Sequence, residues 1–287
     1  MTKTEFRALL AEGAVLLDGA TGSNLMKAGM PRGVCAEQWI SEHPRSLLAL
    51  QEAYVAAGSR ILYAPTFGAN RFNLARHGLQ KKTAELNKRL LSLSRQAAQG
   101  KAFVAGDMTT TGVPLAPAGD LQESELFEIY AEQARALQEA DLLVVETMLG
   151  LDECMVALEA AQSVCELPVV CSVSVQADGS CYFNSDCREV VEVLQGMGAD
   201  AVGINCSCGP EQLVSLVRNM KGVAEVPLLV KPNAGMPRIS ESGEAVYPMQ
   251  PEDFARHMAV LIAEGAQLVG GCCGTDPAFI QALNAIL

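Results

Sequence analysis

Positive charge and histidine are both scarce in this 287-residue chain. It carries 21 Lys and Arg against 33 Asp and Glu, which gives a formal net charge of −12 at pH 7. Binding to nucleic acid or to an anionic membrane surface needs clustered Lys and Arg, so this balance argues against both kinds of partner. The three histidines (His43, His77 and His257) lie outside the strand ends predicted below, so we do not expect a histidine-rich metal site.

Long hydrophobic runs and targeting segments are also missing. No stretch approaches the roughly 18 consecutive apolar residues of a membrane span. The N-terminus, Met-Thr-Lys-Thr-Glu-Phe-Arg, mixes charges before any apolar run, which is not typical of a secretory signal. We therefore expect a cytoplasmic protein without a membrane partner.

Eight short, β-rich hydrophobic runs recur along the chain, most of them followed by an amphipathic segment. They cover residues 14–18, 60–67, 102–107, 142–147, 168–175, 201–206, 226–231 and 267–272. Their nearly continuous hydrophobicity is typical of strands covered on both faces. Eight strand–helix alternations predict an α/β fold, a single (β/α)8 TIM barrel; an open doubly wound sheet is the alternative. Since no linker or low-complexity tract divides the chain, we expect one domain over residues 1–287.

The predicted loops are unequal in length. Returns from helix to strand are short and carry glycine, as at 58–59 and 265–266, which is typical of helix C-caps. Three of the opposite connections, 18–43, 107–122 and 232–250, are long. Loops beyond about 12 to 15 residues are usually functional, and a barrel places its active site at the C-terminal ends of its strands. The functional residues are therefore expected at those ends.

Three of the ten cysteines lie in similar surroundings at two predicted strand ends. Cys206 belongs to Gly-Ile-Asn-Cys-Ser-Cys-Gly-Pro, and Cys272 and Cys273 belong to Val-Gly-Gly-Cys-Cys-Gly-Thr. Three thiolates at one point would form a zinc site with an open fourth position, which is typical of catalytic zinc. Two alternatives stay open: the three pack as buried hydrophobes, or Cys208 closes the site as a fourth ligand. The other six share no spacing and are interpreted as packing residues or spare thiols: Cys35, Cys154, Cys165, Cys171, Cys181 and Cys187.

A zinc ion held by three thiolates favours thiol chemistry. Such an ion is a weak Lewis acid for water, but it would deprotonate a substrate thiol that coordinates it. The resulting thiolate would keep its nucleophilicity, because the other three zinc ligands are negatively charged sulfurs. The helix starts that follow both cysteine runs, at Pro210 and at Thr275-Asp276-Pro277, would help to keep the sulfurs ionised. These features predict alkylation of a thiol at neutral pH.

Acidic and glycine-rich strand ends suit the polar end of an amino acid. Asp18 and Glu146 could pair with an ammonium group, although a turn-forming Asp and a strand-end Glu with structural partners are the alternative. The backbone N–H groups of Gly19, Ala20 and Thr21 could hold a carboxylate. Two further candidates, for substrate contact or for orienting the loops, are Asp107 and Asn205.

At these residues the chain resembles the zinc-dependent homocysteine S-methyltransferases, and especially the homocysteine-binding module of cobalamin-dependent methionine synthase. The resemblance runs nearly end to end. It rests on Leu-Asp-Gly-Ala-Thr-Gly-Ser from Leu17, Thr-Phe-Gly-Ala-Asn from Thr66, the Cys206 run, Lys-Pro-Asn-Ala-Gly from Lys231, Val-Tyr-Pro from Val246, and Gly-Gly-Cys-Cys-Gly-Thr from Gly270. It implies a barrel that methylates homocysteine to methionine. It also implies that Cys206, Cys272 and Cys273 bind zinc with the homocysteine sulfur as fourth ligand, and that Asp18 and Glu146 contact homocysteine.

The resemblance leaves the methyl donor open. Where methionine synthases of the family commonly read Thr-Asn-Thr-Phe, residues 64–67 read Ala-Pro-Thr-Phe, and Cys208 is unusual at its position. No folate-binding, corrinoid-binding or reactivation module follows the barrel, so we expect a separate methyl-corrinoid protein to supply the methyl group. The alternative donor is S-methylmethionine. Two further alternatives concern the function itself: a different acceptor thiol, or a non-catalytic zinc- or thiol-binding subunit. Betaine is disfavoured because the long loops show no aromatic cluster to hold a quaternary ammonium.

Overall fold

Eight parallel strands form one closed sheet in the computed structural model, which describes residues 1–176, 178–183, 185–239 and 245–287. The strands are β1 (Val15–Leu16), β2 (Ile61–Tyr63), β3 (Phe103–Thr109), β4 (Leu142–Met148), β5 (Val169–Val173), β6 (Ala201–Cys206), β7 (Leu228–Pro232) and β8 (Ala266–Val269). They pair in the order β1-β8-β7-β6-β5-β4-β3-β2. A parallel bridge between Leu17 and Ile61 joins the two ends of this order. The predicted TIM barrel is therefore confirmed, and the open sheet is excluded.

Helices surround this barrel and follow every strand. They are α1 (Lys3–Ala11), α2 (Gly22–Lys27), α3 (Ala36–Glu42), α4 (Pro44–Ala57), α5 (Arg71–Ala75), α6 (Thr83–Ala98), α7 (Glu123–Leu137), α8 (Leu151–Val164), α9 (Cys187–Gly196), α10 (Val214–Lys221), α11 (Pro251–Ala263) and α12 (Pro277–Asn284). No helix within the described ranges is long and apolar enough to cross a membrane. In the predicted loop 232–250, two short strands pair antiparallel, Arg238–Ile239 and Ala245–Val246; residues 240–244 of that loop lie outside the described residues.

The helix ends follow from local sequence. α4 begins with Pro44, whose fixed φ suits the first helical turn, and it ends at Gly58, whose φ of 110° is the left-handed conformation that favours glycine. α12 also begins with a proline, and Asp276 caps it by accepting a hydrogen bond of 2.9 Å from the backbone N–H of Ala278. These signals make the returns from helix to strand short.

The interior of the barrel is a separate apolar cluster, and α1 packs against one end of it. Phe6, Leu9 and Leu10 of α1 join buried strand residues such as Val15 and Leu142 in this cluster. All three are less than 10% exposed. Because these contacts are made near the N-terminal ends of the strands, α1 closes the end of the barrel opposite the long loops.

Two predicted boundaries were wrong. β8 ends at Val269, so Cys272 and Cys273 lie in the turn after the strand and not at its last residues. The chain passes close to its neighbour there, since a Cβ atom on Gly270 would lie 2.7 Å from the carbonyl oxygen of Asp18. After β6, Pro210 begins a short 3-10 helix, Pro210–Gln212, and the α-helix follows from Val214.

Candidate functional site

The three predicted sulfurs lie together at the C-terminal end of the barrel. The Sγ atoms of Cys206, Cys272 and Cys273 all lie within 4.8 Å of one another, and those of Cys206 and Cys273 are 3.8 Å apart. Zinc–sulfur bonds of about 2.3 Å in a tetrahedron put neighbouring sulfurs about 3.8 Å apart. Each side chain is partly exposed, so a small ligand can reach the group. This spacing and the soft donor set fit a zinc ion with one position left for another ligand.

An unusual turn directs Cys206 into this group. Cys206 and Ser207 both have a φ of 58°, a conformation that costs most L-residues about 1 kcal/mol or more. Ser207 holds the turn, because its hydroxyl donates to the carbonyl of Asn205 at 2.9 Å and accepts from the N–H of Val175 at 2.9 Å. Such outliers occur where a side chain must be aimed in one direction.

Cys208 points away from the other sulfurs. Its side chain is 6% exposed and belongs to the main hydrophobic core. Burial raises the pKa of its thiol to about 11. Within the described residues, the sulfur group comprises Cys206, Cys272 and Cys273 without Cys208. The geometry thus gives no support to a fourth cysteine ligand.

The last residue of β7 and the two residues after it connect the two cysteine turns. The carbonyl of Pro232 accepts a hydrogen bond of 2.7 Å from the N–H of Cys272, and the N–H of Ala234 donates to the carbonyl of Cys273 at 2.9 Å. The N–H of Asn233 donates to the carbonyl of Cys208 at 3.0 Å. Three successive residues therefore hold both turns in register, which fixes the sulfur positions through the backbone.

Tyr247 covers the Cys273 side of the group. A Cβ atom on Gly274, which has a φ of 85°, would lie 2.2 Å from the Tyr247 ring, so the ring fits only against glycine. Hydrogen bonds from Cys206 and Cys272, with a smaller contribution from the Tyr247 hydroxyl, lower the pKa of the Cys273 thiol to about 3. The same thiol contacts raise the pKa of Cys206. Within the group, Cys273 is therefore the thiol that ionises most readily.

A buried lysine lies between the two predicted substrate-binding acids. The Lys231 ammonium is 3.2 Å from Oδ1 of Asp18 and 3.8 Å from Oε2 of Glu146. It also lies 4.1 Å above the centre of the Tyr63 ring, a cation–π contact. Asp18 is further held by the N–H of Tyr63, at 2.8 Å. Oδ1 of Asp18 and Oε2 of Glu146 thus both lie near the Lys231 ammonium, and neither accepts a hydrogen bond among the described residues.

Acidic side chains outnumber basic ones in this region. Burial raises the pKa of Asp18, of Asp107 and of Glu146, the last to about 7, and the nearby Cys272 adds to the effect on Glu146. Burial opposes the charge of Lys231, but Glu146 and Asp18 outweigh it and raise its pKa. Among the described residues, no donor hydrogen-bonds to Oε2 of Glu146 or Oδ1 of Asp107. The site therefore offers acceptors to a ligand that brings donors and positive charge.

The turn predicted to hold a carboxylate is itself tightly bonded. The N–H of Ala20 donates to the Thr275 hydroxyl at 3.1 Å. Its carbonyl accepts from Asn24 and from the Tyr54 hydroxyl, both at 2.7 Å. Gly19 is required by packing, because a Cβ atom there would lie 2.6 Å from that hydroxyl oxygen. The Ala20 N–H is thus engaged within the protein.

The remaining predicted residues lie on the same face of the barrel. Thr21 is half-buried at the start of α2. The side chain of Asn205 accepts from the Thr147 N–H at 3.0 Å and from the Ser172 hydroxyl at 2.9 Å, and it donates to the Thr147 hydroxyl at 2.7 Å. Asn205 therefore orients the ends of β4 and β6.

Sequence reasoning missed three residues of this site: Lys231, Tyr247 and Thr275. Lys231 and Tyr247 lie within segments that carry the family resemblance, but nothing in the sequence shows what their side chains touch. The sequence gives one signal for Lys231: it follows a run of apolar residues, so its charge is expected to be buried and to need a partner. For Thr275, the local sequence indicates only a helix cap.

Known proteins are similar to this chain in sequence. The family model for homocysteine S-methyltransferase matches residues 15–287. The methionine synthases of Mycobacterium leprae (strain TN) and Mycobacterium tuberculosis (strain ATCC 25618 / H37Rv) are 30% and 29% identical to the chain over 302 residues. Each alignment covers 98% of this chain and 25% of the relative, so the chain spans a quarter of the length of these curated relatives.

A solved structure has the same fold. The metallated form of the homocysteine methyltransferase MmuM from Escherichia coli superposes with a TM-score of 0.82 and 24% sequence identity. The superposition covers 98% of this chain and 99% of that chain. At this level of identity the likeness establishes the shared barrel.

Proposed function

The chain belongs to the homocysteine S-methyltransferase family, and from that premise we propose that it binds zinc through Cys206, Cys272 and Cys273 and methylates homocysteine to methionine. The methyl group comes from a separate methyl-corrinoid protein. The observation that carries the proposal is the three-sulfur group beside a set of buried acids with unpartnered oxygens. In this proposal the sulfur group receives the thiol of the substrate, and the acids receive its amino-acid head group.

The sulfur group is suited to zinc and to a thiol substrate. A zinc ion bound there would supply a soft Lewis acid that lowers the pKa of a coordinating thiol from its free value of about 8.5. The chain's own part is to hold three sulfurs in place before the ligands arrive, through the Ser207 turn and the backbone bonds of Pro232 and Ala234. This preorganisation leaves little reordering for the binding step.

The acids are suited to the substrate ammonium. An ammonium group brings three N–H donors and one positive charge. Glu146 and Asp107 each offer a buried oxygen without a donor among the described residues, and Asp18 is fixed beside them by Lys231. With one cation already opposite three carboxyls, a second cation improves the charge balance. A thiol without an α-amino group lacks this contribution.

Burial also indicates the direction in which the substrate lies. Asp18 is 0% exposed and Glu146 is 7% exposed, whereas Cys206, Cys272 and Cys273 are all partly exposed. The amino-acid head group is therefore the inner end of the substrate, and its sulfur faces the opening. A methyl donor can then approach the sulfur from solvent, without passing the head group.

The methyl-corrinoid donor is supported by the relation to methionine synthases, of which this chain matches about a quarter. In the transfer, the substrate sulfur forms a bond to the methyl carbon. The carbon–cobalt bond breaks, and its electron pair stays with the corrinoid. No residue of the chain needs to carry the methyl group.

The test is methionine formation by the zinc-loaded protein with homocysteine and free methylcobalamin, with S-methylmethionine as a parallel donor. We expect methionine with methylcobalamin and none with the Cys273→Ser variant, since the variant loses one sulfur of the group. Methionine from S-methylmethionine alone would replace the proposed donor. A protein that binds zinc and homocysteine but forms no methionine with either donor, or with a methylated corrinoid protein, would contradict the catalytic role.

A further inference from the structure

Thr275 lies between the two halves of the site. It is fully buried, in the turn that follows Cys272 and Cys273. Its hydroxyl donates to the carbonyl of Cys272 at 2.7 Å and accepts the N–H of Ala20 at 3.1 Å. The N-terminal cap of α12 is provided by Asp276, so the Thr275 hydroxyl has no capping role. One oxygen atom thus connects a residue of the sulfur group to the turn that carries Asp18.

The surrounding backbone leaves room for this side chain and for little else. Cβ atoms on Gly19 and on Gly271 would lie 2.9 Å and 2.5 Å from Thr275. Asn24 donates to the Thr275 carbonyl at 2.8 Å and to the Ala20 carbonyl at 2.7 Å. The hydroxyl therefore has one available position, in which both of its hydrogen bonds are made.

We propose that Thr275 is a positioning residue that couples the metal-binding half of the site to the amino-acid-binding half. A head group bound beside Asp18 shifts the Ala20 turn, and the Thr275 hydroxyl transmits this shift to the Cys272 carbonyl and to the turn that carries two of the three sulfurs. The inference rests on the proposed function, because it takes zinc and an amino acid as the two ligands.

Coupling of this kind is reciprocal, so it can be measured from either ligand. L-2-Aminobutyrate is homocysteine with hydrogen in place of the thiol, and it can fill the head-group half without a bond to zinc. It is a zwitterion without net charge, so its long-range electrostatic effect on zinc is small. A change in zinc affinity caused by aminobutyrate therefore reports on contacts within the protein.

The experiment measures zinc affinity by competition with a chromophoric chelator, with and without saturating aminobutyrate. For the wild-type chain we expect aminobutyrate to raise zinc affinity about five-fold, the scale of one hydrogen bond. Zinc should raise aminobutyrate affinity by the same factor. Thr275→Ser keeps the hydroxyl and should keep the factor. Thr275→Val keeps the shape without the hydroxyl and should lower the factor; what remains is carried by the backbone hydrogen bond of 3.1 Å from the Gly271 N–H to the Asp18 carbonyl.

Ser59→Ala is the control. It removes a buried hydrogen bond of 3.1 Å to the carbonyl of Leu17, the residue before Asp18, and leaves the Thr275 hydrogen bonds in place, so the factor should persist. If Thr275→Val fails to fold, Thr275→Ala serves as a second variant without a hydroxyl, and the wild-type and Thr275→Ser values stand independently. A wild-type factor of one, or an unchanged factor in the hydroxyl-free variant, overturns the coupling alone. A wild-type chain that binds neither zinc nor aminobutyrate overturns the proposed function and the coupling with it.

Discussion

The ammonium of Lys231 lies 3.2 Å from a carboxylate oxygen of Asp18, and both side chains are less than 5% exposed. Lys231 is also the buried cation opposite Glu146 and Asp107, within the part of the chain that the structure describes. Buried charges of one sign cost stability unless a partner offsets them. The arrangement of the acids proposed to receive the substrate thus depends on Lys231.

Replacing Lys231 by Met should lower the free energy of unfolding by about 3 to 5 kcal/mol, because buried carboxyls lose their counter-charge. Urea unfolding of the metal-free protein measures this. Arg188→Met is the control, since its pair with Glu192 is exposed and should contribute less than about 1 kcal/mol. Equal stabilities of the two variants would contradict the account of Lys231.

Alanine substitutions at two glycines distinguish the effect of side-chain crowding from that of backbone strain. Gly274 and Gly112 have φ values of 85° and 74°, but a Cβ atom meets the Tyr247 ring at Gly274 and nothing within 4 Å at Gly112. Gly112→Ala should cost about 1 kcal/mol from strain alone. Gly274→Ala should cost more than about 2 kcal/mol, from strain plus the clash, and should weaken zinc binding. Unfolding curves measure the stability of each variant, and zinc titrations measure its zinc affinity. Similar losses of stability and of zinc affinity in both variants would mean that the Tyr247 contact is unimportant.

Two cysteines in one turn should respond in opposite ways to serine. Cys206→Ser removes a proposed zinc ligand and should weaken zinc affinity at least about ten-fold, the loss typical even of outer-shell changes at metal sites. Cys208→Ser should leave one zinc per chain and cost about 1 to 3 kcal/mol of stability, since it buries a hydroxyl. The zinc content of each variant is measured by metal analysis after dialysis against a weak chelator. Zinc loss from Cys208→Ser with the fold intact would show that the site is closed by a fourth thiolate.

The head-group half should bind better as the pH rises through 7. The pKa of Glu146 is raised to about 7, so its carboxylate is lost as the pH falls below that value, and an ammonium loses its partner. The dissociation constant of L-2-aminobutyrate should rise by up to about ten-fold per pH unit on the acid side of 7. Glu146→Gln should bind more weakly and show no rise in that range. A flat profile in the wild-type chain would remove Glu146 from the head-group site.

The sequence predicted the barrel well because each strand is covered on both faces and is therefore a short hydrophobic run between helices. The predicted end of β8 was wrong, because the hydrophobic pattern continues into Gly270 and Gly271 after the ladder has ended. Cys206, Cys272 and Cys273 could be located because their Gly-Cys surroundings are local in sequence. No local pattern shows that Cys206 and Ser207 adopt a positive φ.

The contacts of Lys231, Tyr247 and Thr275 could not be read in the same way. Each depends on how loops from different strands meet, as when Tyr247 packs on Gly274 or Thr275 reaches Ala20. A lysine at the end of an apolar run indicates a buried charge but not its partner. Side-chain positions of this kind follow from the assembled barrel and not from the residue or its neighbours.

The position of α1 has a consequence for the order of events. Phe6, Leu9 and Leu10 close one end of the barrel, so ligands enter and leave through the opposite end. The acids lie deeper there than the sulfurs, so under the proposed function a donor docked over the sulfurs would stand in the exit path of the amino acid. We therefore expect an order in time: the amino acid arrives first, the donor arrives and withdraws, and the methylated product is the last to leave.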